Sequence, residues 1–110
     1  MKMIVNESEV VPVKLGDYDY IPLLSAENGC LAGCSAGLLL YTQEEFRQGG
    51  VHDDQEGFFV LEGSGSALIG ESEFPLSPGS CFFVPPGFYH SIKKNPACEH
   101  IKLFFFHAAV

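Results

Sequence analysis

Between positions 79 and 90 the chain reads Gly79-Ser80-Cys81-Phe82-Phe83-Val84-Pro85-Pro86-Gly87-Phe88-Tyr89-His90, and this stretch decides its fold. Residues 80–84 are rich in aromatic and β-branched side chains and predict a strand. A Pro-Gly turn follows, because proline restricts the backbone and glycine supplies the dihedral angles that tight turns need. His90 stands just past this rigid turn, which can therefore aim its imidazole in a fixed direction.

A histidine and a glutamate, four residues apart, precede this stretch. His52 and Glu56 come ahead of a run rich in Phe and Val. In an extended strand, residues i and i+4 point to the same face, so the two side chains would project together. With His90 they could close around one metal ion. The alternative for residues 52–56 is a solvated loop, since the polar Asp53-Asp54-Gln55 lies between the two side chains.

Short runs rich in Val, Ile, Phe and Tyr alternate with Gly, Pro, Ser or Asn along the chain. This spacing is typical of an all-β sandwich or barrel. The best helical candidate, residues 42–48, is only about two turns long and runs into two glycines, so one short helix or none is expected. The predicted strands span residues 10–14, 20–24, 37–42, 57–62, 66–69, 80–84 and 100–106.

Two turns link the predicted strands in the middle of the chain. Gly63-Ser64-Gly65-Ser66 lies between two strand-like runs and predicts a tight hairpin. Pro78-Gly79 stands in the order that a type II turn favours. Because these links are short, strands that follow one another in sequence are expected to be antiparallel neighbours.

The last predicted strand contains Phe104-Phe105-Phe106, which is apolar on both of its faces. One face would fill the core. The other would pack on a second sheet or on another subunit, because a small β domain with such a strand has apolar surface to cover. A homodimer is therefore expected.

Length and charge limit the classes of protein to which the chain can belong. Its 110 residues predict a single domain over 1–110, with N-terminal strands in 1–45, a central region 50–95 and a C-terminal strand in 98–107. The net charge is −8, with six Lys and Arg in total. Such a field repels phosphate backbones and anionic lipid surfaces, so neither nucleic acid nor a membrane is an expected partner.

The N-terminus and the cysteines predict a cytoplasmic protein. Residues 1–7 turn polar too soon for a signal peptide, and no apolar run approaches the roughly 20 residues that span a bilayer. Four cysteines are few for a disulfide scaffold, so we expect free and mostly buried thiols. The spacing of Cys30 and Cys34 is not CxxC, and no second Cys/His pair completes a zinc site.

Two patterns in the centre of the chain resemble the pair of motifs that define the cupin superfamily. The first is His-x-x-x-Glu at His52 and Glu56, followed by Val60-Leu61-Glu62-Gly63. The second is Gly-x5-Pro-x-Gly-x2-His, filled by Gly79, Pro85, Gly87 and His90. The resemblance covers residues 50–95 and implies a small antiparallel double-stranded β-helix, a jelly-roll barrel whose interior holds a divalent metal.

The resemblance also implies a set of metal ligands. His52 matches the second histidine of the first motif, Glu56 matches its glutamate, and His90 matches the histidine of the second motif. The position two before His52, where the family commonly has another histidine, is Gly50. Two imidazoles and one carboxylate with open positions suit Fe(II), and also Mn, Ni, Co or Zn, so one of these divalent transition metals is the expected cofactor.

A fourth protein ligand would have to come from elsewhere in the chain. His100 is the most plausible replacement, because it opens the final strand and that strand can line the barrel of a jelly roll. The alternative for His100 is a surface position beside Glu99 and Lys102, and His107 near the C-terminus is expected to be solvated. Weaker candidates are Tyr41, Tyr89 and Gln48.

Aromatic side chains are expected mainly in the core, because burying them stabilises a small barrel. Some of them would also narrow the pocket and favour a small, partly apolar ligand. The phenylalanines concerned are Phe58, Phe59, Phe82, Phe83 and Phe88.

Three functions fit these expectations. The first is a metal-dependent enzyme that acts on a small organic molecule as a dioxygenase, isomerase, lyase or decarboxylase, with Tyr41, Tyr89 or His100 as a nearby acid or base. The second is a cupin that binds a small ligand without turnover, as a sensor or accessory subunit. The third is a metal-free cupin that serves as an interaction domain. The fold alone does not choose among them, because it hosts many unrelated chemistries.

Overall fold

The computed structural model describes residues 2–47 and 49–110, which form ten strands and two single turns of 3-10 helix, Glu7–Glu9 and Ala26–Asn28. This part of the chain has no α-helix, and so none that could span a membrane, and the all-β prediction is confirmed. The strands are β1 (Val13–Lys14), β2 (Tyr18–Leu24), β3 (Ser35–Tyr41), β4 (Gly49–Gly50), β5 (Gln55–Glu62), β6 (Gly65–Ile69), β7 (Ser72–Leu76), β8 (Cys81–Val84), β9 (His90–Lys94) and β10 (Ile101–Ala108).

The strands form two sheets in which the paired strands run antiparallel. The larger sheet has the order β1-β2-β3-β10-β5-β8, and the smaller has the order β4-β9-β6-β7. Buried side chains from both sheets form one hydrophobic cluster, which makes the arrangement a jelly roll, as predicted. The cluster contains Leu39, Tyr41, Phe58, Val60, Val84, Ile101, Leu103 and Phe105 from the larger sheet, and Ala67, Leu76 and Ile92 from the smaller.

Strand β10 occupies the centre of the larger sheet, between β3 and β5. Leu103 and Phe105 face the core and are buried. Phe104 and Phe106 have the opposite parity and face away from the core. The prediction that one face of this strand fills the core is therefore confirmed.

The predicted hairpin at Gly63-Ser64-Gly65-Ser66 is wrong. Strands β5 and β6, which this segment joins, belong to different sheets, so the segment crosses from one sheet to the other. Gly63 has a φ of 80°, and Gly65 lies so close to the backbone of Lys93 that a Cβ would stand 1.9 Å from its carbonyl oxygen. The glycines here permit a close crossing rather than a hairpin.

The predicted turn at Pro78-Gly79 is confirmed. The N–H of Ser80 donates to the carbonyl of Ser77 at 2.9 Å, and Gly79 has a φ of 92°, as the third position of a type II turn requires. The strands that this turn joins, β7 and β8, again lie in different sheets. The expected pairing of consecutive strands is therefore wrong for β5 with β6 and for β7 with β8, because β5 pairs with β8. Strand β6 pairs with β7 and with β9.

Three short strands lie outside the predicted runs, namely β4, β7 and β9. The sequence of β9 contains one apolar residue, Ile92, so no alternating pattern marks it. This strand forms because its backbone pairs with β4 on one side and with β6 on the other. Its last residue, Lys94, is buried and its ammonium group reaches the carboxylate of Glu44 at 3.0 Å and the carbonyl of Cys98 at 2.8 Å.

Residues 42–47 do not form the candidate helix. Gln43 is fully buried, and its side-chain amide donates to the carbonyl of Ile92 at 2.6 Å. The backbone carbonyl of Gln43 also accepts from the N–H of Lys94 at 2.9 Å. These bonds hold the segment along β9. Gln48, the last residue of the candidate helix, lies outside the described residues.

Three of the five phenylalanines expected in the core are exposed, namely Phe59, Phe83 and Phe88. Phe58 is buried and stacks on Phe82 with ring centroids 4.6 Å apart. Phe59 and Phe83 have the opposite parity on the same two strands, so their rings point away from the core.

The cysteines are free thiols, as expected, but they are not buried. Cys34 and Cys81 are exposed, and Cys30 and Cys98 are partly exposed. Cys81 is exposed because it stands directly opposite the outward-facing Phe59 in the pairing of β8 with β5.

Gly65→Ala is expected to lower the free energy of unfolding by about 1–3 kcal/mol, the usual cost of overpacking. The added Cβ would meet the backbone of Lys93, which cannot move away as a flexible side chain would. Chemical denaturation measures the loss. Gly50→Ala is the control, since nothing lies within 4 Å of a Cβ at that position, and it should change the stability by no more than about 0.5 kcal/mol. Equal stabilities of the two variants would contradict the close approach of β6 to β9.

Candidate metal centre

A cavity of about 620 Å³ lies between the two sheets. Its size falls within the range of about 300–1,000 Å³ that is usual for small-molecule sites. Three histidines and one glutamate come together on its lining, namely His52, Glu56, His90 and His107. Aromatic side chains of the larger sheet also line it, namely Tyr18, Tyr20, Tyr41, Phe58 and Phe105.

A backbone hydrogen bond joins the two sequence patterns. The N–H of Gly87, in the turn that precedes β9, donates to the carbonyl of His52 at 2.9 Å. His90 follows that turn as the first residue of β9. The turn therefore fixes the backbone of both histidines relative to each other, although they lie far apart in sequence.

The side chain of Glu56 is the centre of the cluster. This residue is 4% exposed, and its Oε1 lies 2.9 Å from Nε2 of His52 and 3.3 Å from Nε2 of His90. One potential ligand atom from each of the three side chains lies within 4.8 Å of the other two. The structure therefore brings the three predicted ligand residues together.

The route by which His52 reaches Glu56 differs from the expected one. His52 does not lie on a strand, because β5 begins only at Gln55. The i, i+4 geometry of an extended strand is therefore wrong for this pair. Instead, the loop before β5 places Nε2 of His52 2.9 Å from Oε1 of Glu56.

His107 belongs to the same cluster, and the prediction that it is solvated is wrong. Its side chain is only 23% exposed, its Nε2 lies 3.1 Å from Oε2 of Glu56, and its Nδ1 lies 2.9 Å from Oδ2 of Asp54. His107 pairs with Glu56 across β10 and β5 and shares the inward parity of Phe105. Continuing the alternation of the last strand from Phe105 to position 107 would have placed His107 on the inward face.

Asp54 is a second residue that the sequence analysis missed. Its Oδ1 lies 2.6 Å from Nδ1 of His52, while its Oδ2 contacts Nδ1 of His107. One carboxylate group therefore stands between the outer nitrogens of two imidazoles. The polar run Asp53-Asp54-Gln55 had indicated a solvated loop, and nothing in that run distinguishes one aspartate from the other.

Two of the other candidates for a fourth ligand, His100 and Tyr89, lie away from the cluster. His100 is partly exposed, and its Nε2 lies 3.1 Å from Oε1 of Glu62. The alternative prediction of a surface position is therefore confirmed for this residue. Tyr89 is exposed and lies against Gly49 rather than on the cavity lining. Gln48 lies outside the described residues, and Tyr41 lines the cavity.

Two side chains of the cavity have shifted pKa values. Burial opposes the charged form of His52, but the hydrogen bond and charge of Glu56, together with Asp54, outweigh it and raise the pKa of His52 above its usual value. Burial raises the pKa of Tyr41 far above its usual value, and the nearby Tyr18 and Glu56 act in the same direction. Tyr41 therefore stays protonated and can donate a hydrogen bond into the cavity.

The donor atoms of the cluster fit a divalent transition metal. Imidazole nitrogens and a carboxylate are ligands that Fe, Mn, Ni, Co and Zn accept. A carboxylate as buried as that of Glu56 requires cationic partners, which imidazolium groups or a metal would supply. In addition, Nδ1 of His90 is buried with no hydrogen-bond partner among the described residues, so the protein does not satisfy every polar atom of the cluster.

A family model described as a cupin domain matches residues 43–107, which is more than half of the chain. The matched span includes all four cavity residues with imidazole or carboxylate groups, and it also includes Asp54. Comparison with curated protein sequences gives no match.

Several solved structures have the same fold. The iron(II) form of HppE is 19% identical, with a TM-score of 0.81, and the alignment covers 96% of this chain and 59% of that one. The polyketide cyclase RemF from Streptomyces resistomycificus is 16% identical, with a TM-score of 0.82 and coverage of 97% and 79%. The cupin domain of Schizosaccharomyces pombe Cnp3 is 20% identical, with a TM-score of 0.78 and coverage of 96% and 72%.

The likeness to these structures is one of fold, since the identities are low. The chain spans between 57% and 59% of the length of the HppE chains that it matches.

The stability of the metal-free protein is expected to fall as the pH rises. Because the folded-state pKa of His52 is raised, its contribution is complete below the usual histidine pKa of about 6.5 and is lost as the pH rises through the higher folded value. Denaturation in the presence of a chelator, between about pH 6 and pH 9, measures this fall. The fall should be smaller in His52→Gln and unchanged in His100→Gln. An identical pH dependence in the wild type and His52→Gln would contradict the prediction.

Proposed function

The chain belongs to the cupin family, and we propose that it is a metal-dependent enzyme that acts on a small organic molecule. In this proposal His52, Glu56 and His90 hold one divalent transition metal at the cavity. The reaction class is that of a dioxygenase, an isomerase, a lyase or a decarboxylase that works through the open coordination positions of this metal.

The observation that carries the proposal is the contact of two imidazoles with one buried carboxylate. Nε2 of His52 and Nε2 of His90 both approach Oε1 of Glu56, at 2.9 and 3.3 Å. A bare carboxylate at this depth would cost several kcal/mol. Clustering three potential ligand atoms at one buried point is the arrangement that a metal centre needs, and it lies on the wall of the cavity of about 620 Å³.

The choice of metal follows from the ligand types. Two imidazoles and one carboxylate leave positions open and suit Fe(II), with Mn, Co, Ni and Zn as further candidates. One of the structures with the same fold, HppE, has an iron(II) form. When bound, such an ion can act as a Lewis acid or lower the pKa of a coordinated water.

The remaining walls of the cavity select the substrate. Tyr18 and Tyr41 stack with ring centroids 4.8 Å apart, and Tyr20 packs near Phe105 at 5.7 Å. These rings give the cavity an apolar wall that favours a small molecule with an apolar part. The hydroxyl group of Tyr41 stays protonated, so it can donate a hydrogen bond that orients the substrate but cannot serve as a general base at neutral pH.

The purified protein is expected to bind about one equivalent of a transition metal, and His90→Ala should lose it. His90 comes from a different sheet than Glu56, so its removal opens the cluster without removing the buried carboxylate. Elemental analysis of untagged protein, prepared without chelator and after reconstitution, gives the stoichiometry. His100→Ala is the control, because His100 lies against Glu62 outside the cavity and should keep full loading. No metal in the wild type after reconstitution would refute the proposed centre.

We further propose that the chain forms a homodimer through the outer face of the larger sheet. Four apolar side chains of this face are between 42% and 47% exposed, namely Phe59, Leu61, Phe83 and Phe106. Phe106, Gly57 and Phe83 stand side by side across β10, β5 and β8, and the ring of Phe106 covers Gly57. A second copy suits this apolar patch, because its four side chains carry no charge and allow two chains of net charge −8 to meet without placing like charges together there.

Phe83→Glu is expected to turn the dimer into a monomer. The substitution would place a charge in each half of a two-fold interface, where burial and like-charge repulsion both oppose association. Sedimentation velocity of the wild type and the variant gives the oligomeric state. Phe74→Glu is the control, since Phe74 is equally exposed but lies on β7 of the other sheet. A monomeric wild type at micromolar concentration, or a dimer in Phe83→Glu, would contradict this interface.

A further inference from the structure

Two carboxylates and two imidazoles form a closed ring of contacts, in which His52, Glu56 and His107 line the cavity and Asp54 lies behind the two histidines. Oε1 of Glu56 contacts Nε2 of His52 at 2.9 Å, and Nδ1 of His52 contacts Oδ1 of Asp54 at 2.6 Å. Oδ2 of Asp54 then contacts Nδ1 of His107 at 2.9 Å, and Nε2 of His107 returns to Oε2 of Glu56 at 3.1 Å. His52 and His107 therefore occupy equivalent positions between the same two acidic groups.

The ring orients both imidazoles in the same way. A histidine that binds a metal usually gives its other ring N–H to a carboxylate, which fixes the tautomer and the orientation of the ring. With the proton on Nδ1, His107 donates to the carboxylate of Asp54 at 2.9 Å and His52 donates to the backbone carbonyl of Asp54 at 3.2 Å, and both keep a free lone pair on Nε2. Both of these lone pairs then face the buried carboxylate of Glu56. That of His52 lies at Oε1, which His90 also approaches, and that of His107 lies at Oε2.

The position that commonly holds another histidine in this family is Gly50, and it lies on the same cavity lining. Gly50 pairs with His90 in the smaller sheet, and a Cβ added to it would meet nothing within 4 Å. The β4 side of the cavity thus offers no imidazole. His107 supplies one from β10, in the opposite sheet.

Given the metal centre proposed above, on which this inference rests, we propose that His107 is its fourth protein ligand and replaces the histidine absent at position 50. Asp54 positions the imidazoles of His52 and His107 and does not bind the metal. The centre is thereby one of three imidazoles and one carboxylate, with a ligand drawn from the last strand of the chain.

Burial decides which carboxylate is the ligand. His52 belongs to two groups whose ligand atoms lie close enough together to hold an ion, one with Glu56 and His90 and one with Asp54 and His107. The side chain of Asp54 is 34% exposed, whereas that of Glu56 is 6% exposed, so water competes with a metal far more at Asp54. His90 contacts Glu56, so a metal beside Glu56 gains a third imidazole.

The test is a titration of the metal-free protein with Co(II), followed by the d–d absorption and by competition with a chelator. His107→Ala should weaken binding more than Asp54→Asn, for which the loss of an orienting carboxylate predicts about 10–100-fold. Glu56→Gln should abolish binding, and His100→Ala is the control that should match the wild type. Equal losses in Asp54→Asn and Glu56→Gln would assign the metal to Asp54 and overturn the inference.

A gain of function complements these losses. In the His107→Ala background, Gly50→His should restore Co(II) affinity, because an added Cβ meets nothing within 4 Å and the family's usual ligand position is then filled. Gly50→Gln in the same background is the matched control and should not restore it. If Gly50→His does not restore the affinity, although the double variant has the melting temperature of the wild type, the proposal that His107 replaces a histidine absent at position 50 is contradicted.

X-ray absorption of the Co(II)-loaded wild type tests the inference without any variant. Three coordinated imidazoles are expected, and two would overturn the role of His107. A wild type that binds no Co(II) would refute the metal centre itself. A wild type that binds Co(II) as tightly as His107→Ala does, with the same spectrum, would refute only the fourth ligand, so the two failures are distinguishable.

Discussion

The burial of the Glu56 carboxylate is the constraint on which the rest of the site depends. Glu56 is the second residue of β5 and shares its inward parity with Phe58 and Val60, both of which lie in the core. The strand cannot turn this carboxylate toward water without also turning those two side chains out of the core. A charge held there costs several kcal/mol unless cationic partners surround it. The imidazoles of His52, His90 and His107 are those partners, and they reach it from three different parts of the chain.

Backbone hydrogen bonds and strand pairing, rather than contacts of the histidine side chains, position these imidazoles around Glu56. Pairing of β5 with β8 sets Val84 opposite Glu56, so the Pro-Gly turn that follows β8 begins beside the carboxylate. The N–H of Gly87 then bonds the carbonyl of His52, and β9 starts at His90. On the other side of β5, the ladder with β10 sets His107 directly across from Glu56. Two neighbouring strands and one turn thus determine the separation of the ligand atoms.

Sequence patterns predicted the features that depend on side-chain types close together in the chain. They missed the features that depend on which strands pair. The all-β class, the turn at Pro78-Gly79 and the convergence of His52, Glu56 and His90 follow from side-chain types and from a motif. The segment around Gly65 was read as a hairpin because glycine permits both a tight turn and a close crossing, and only the partner backbone of Lys93 distinguishes them. Strand β9 escaped notice because pairing on both edges, rather than its composition, makes it extended.

His107 shows why a ligand set cannot be transferred by position alone. A coordination sphere depends on where a nitrogen lies in space, and a barrel brings several strands to the same point. Gly50 and His107 are far apart in sequence, yet both line the cavity beside Glu56. Moving an imidazole from the β4 side to the β10 side would keep the number of ligands and change where the open coordination positions lie. In the proposed centre the wall at Gly50 has no side chain, so a substrate can approach from the side that the family's usual histidine would close.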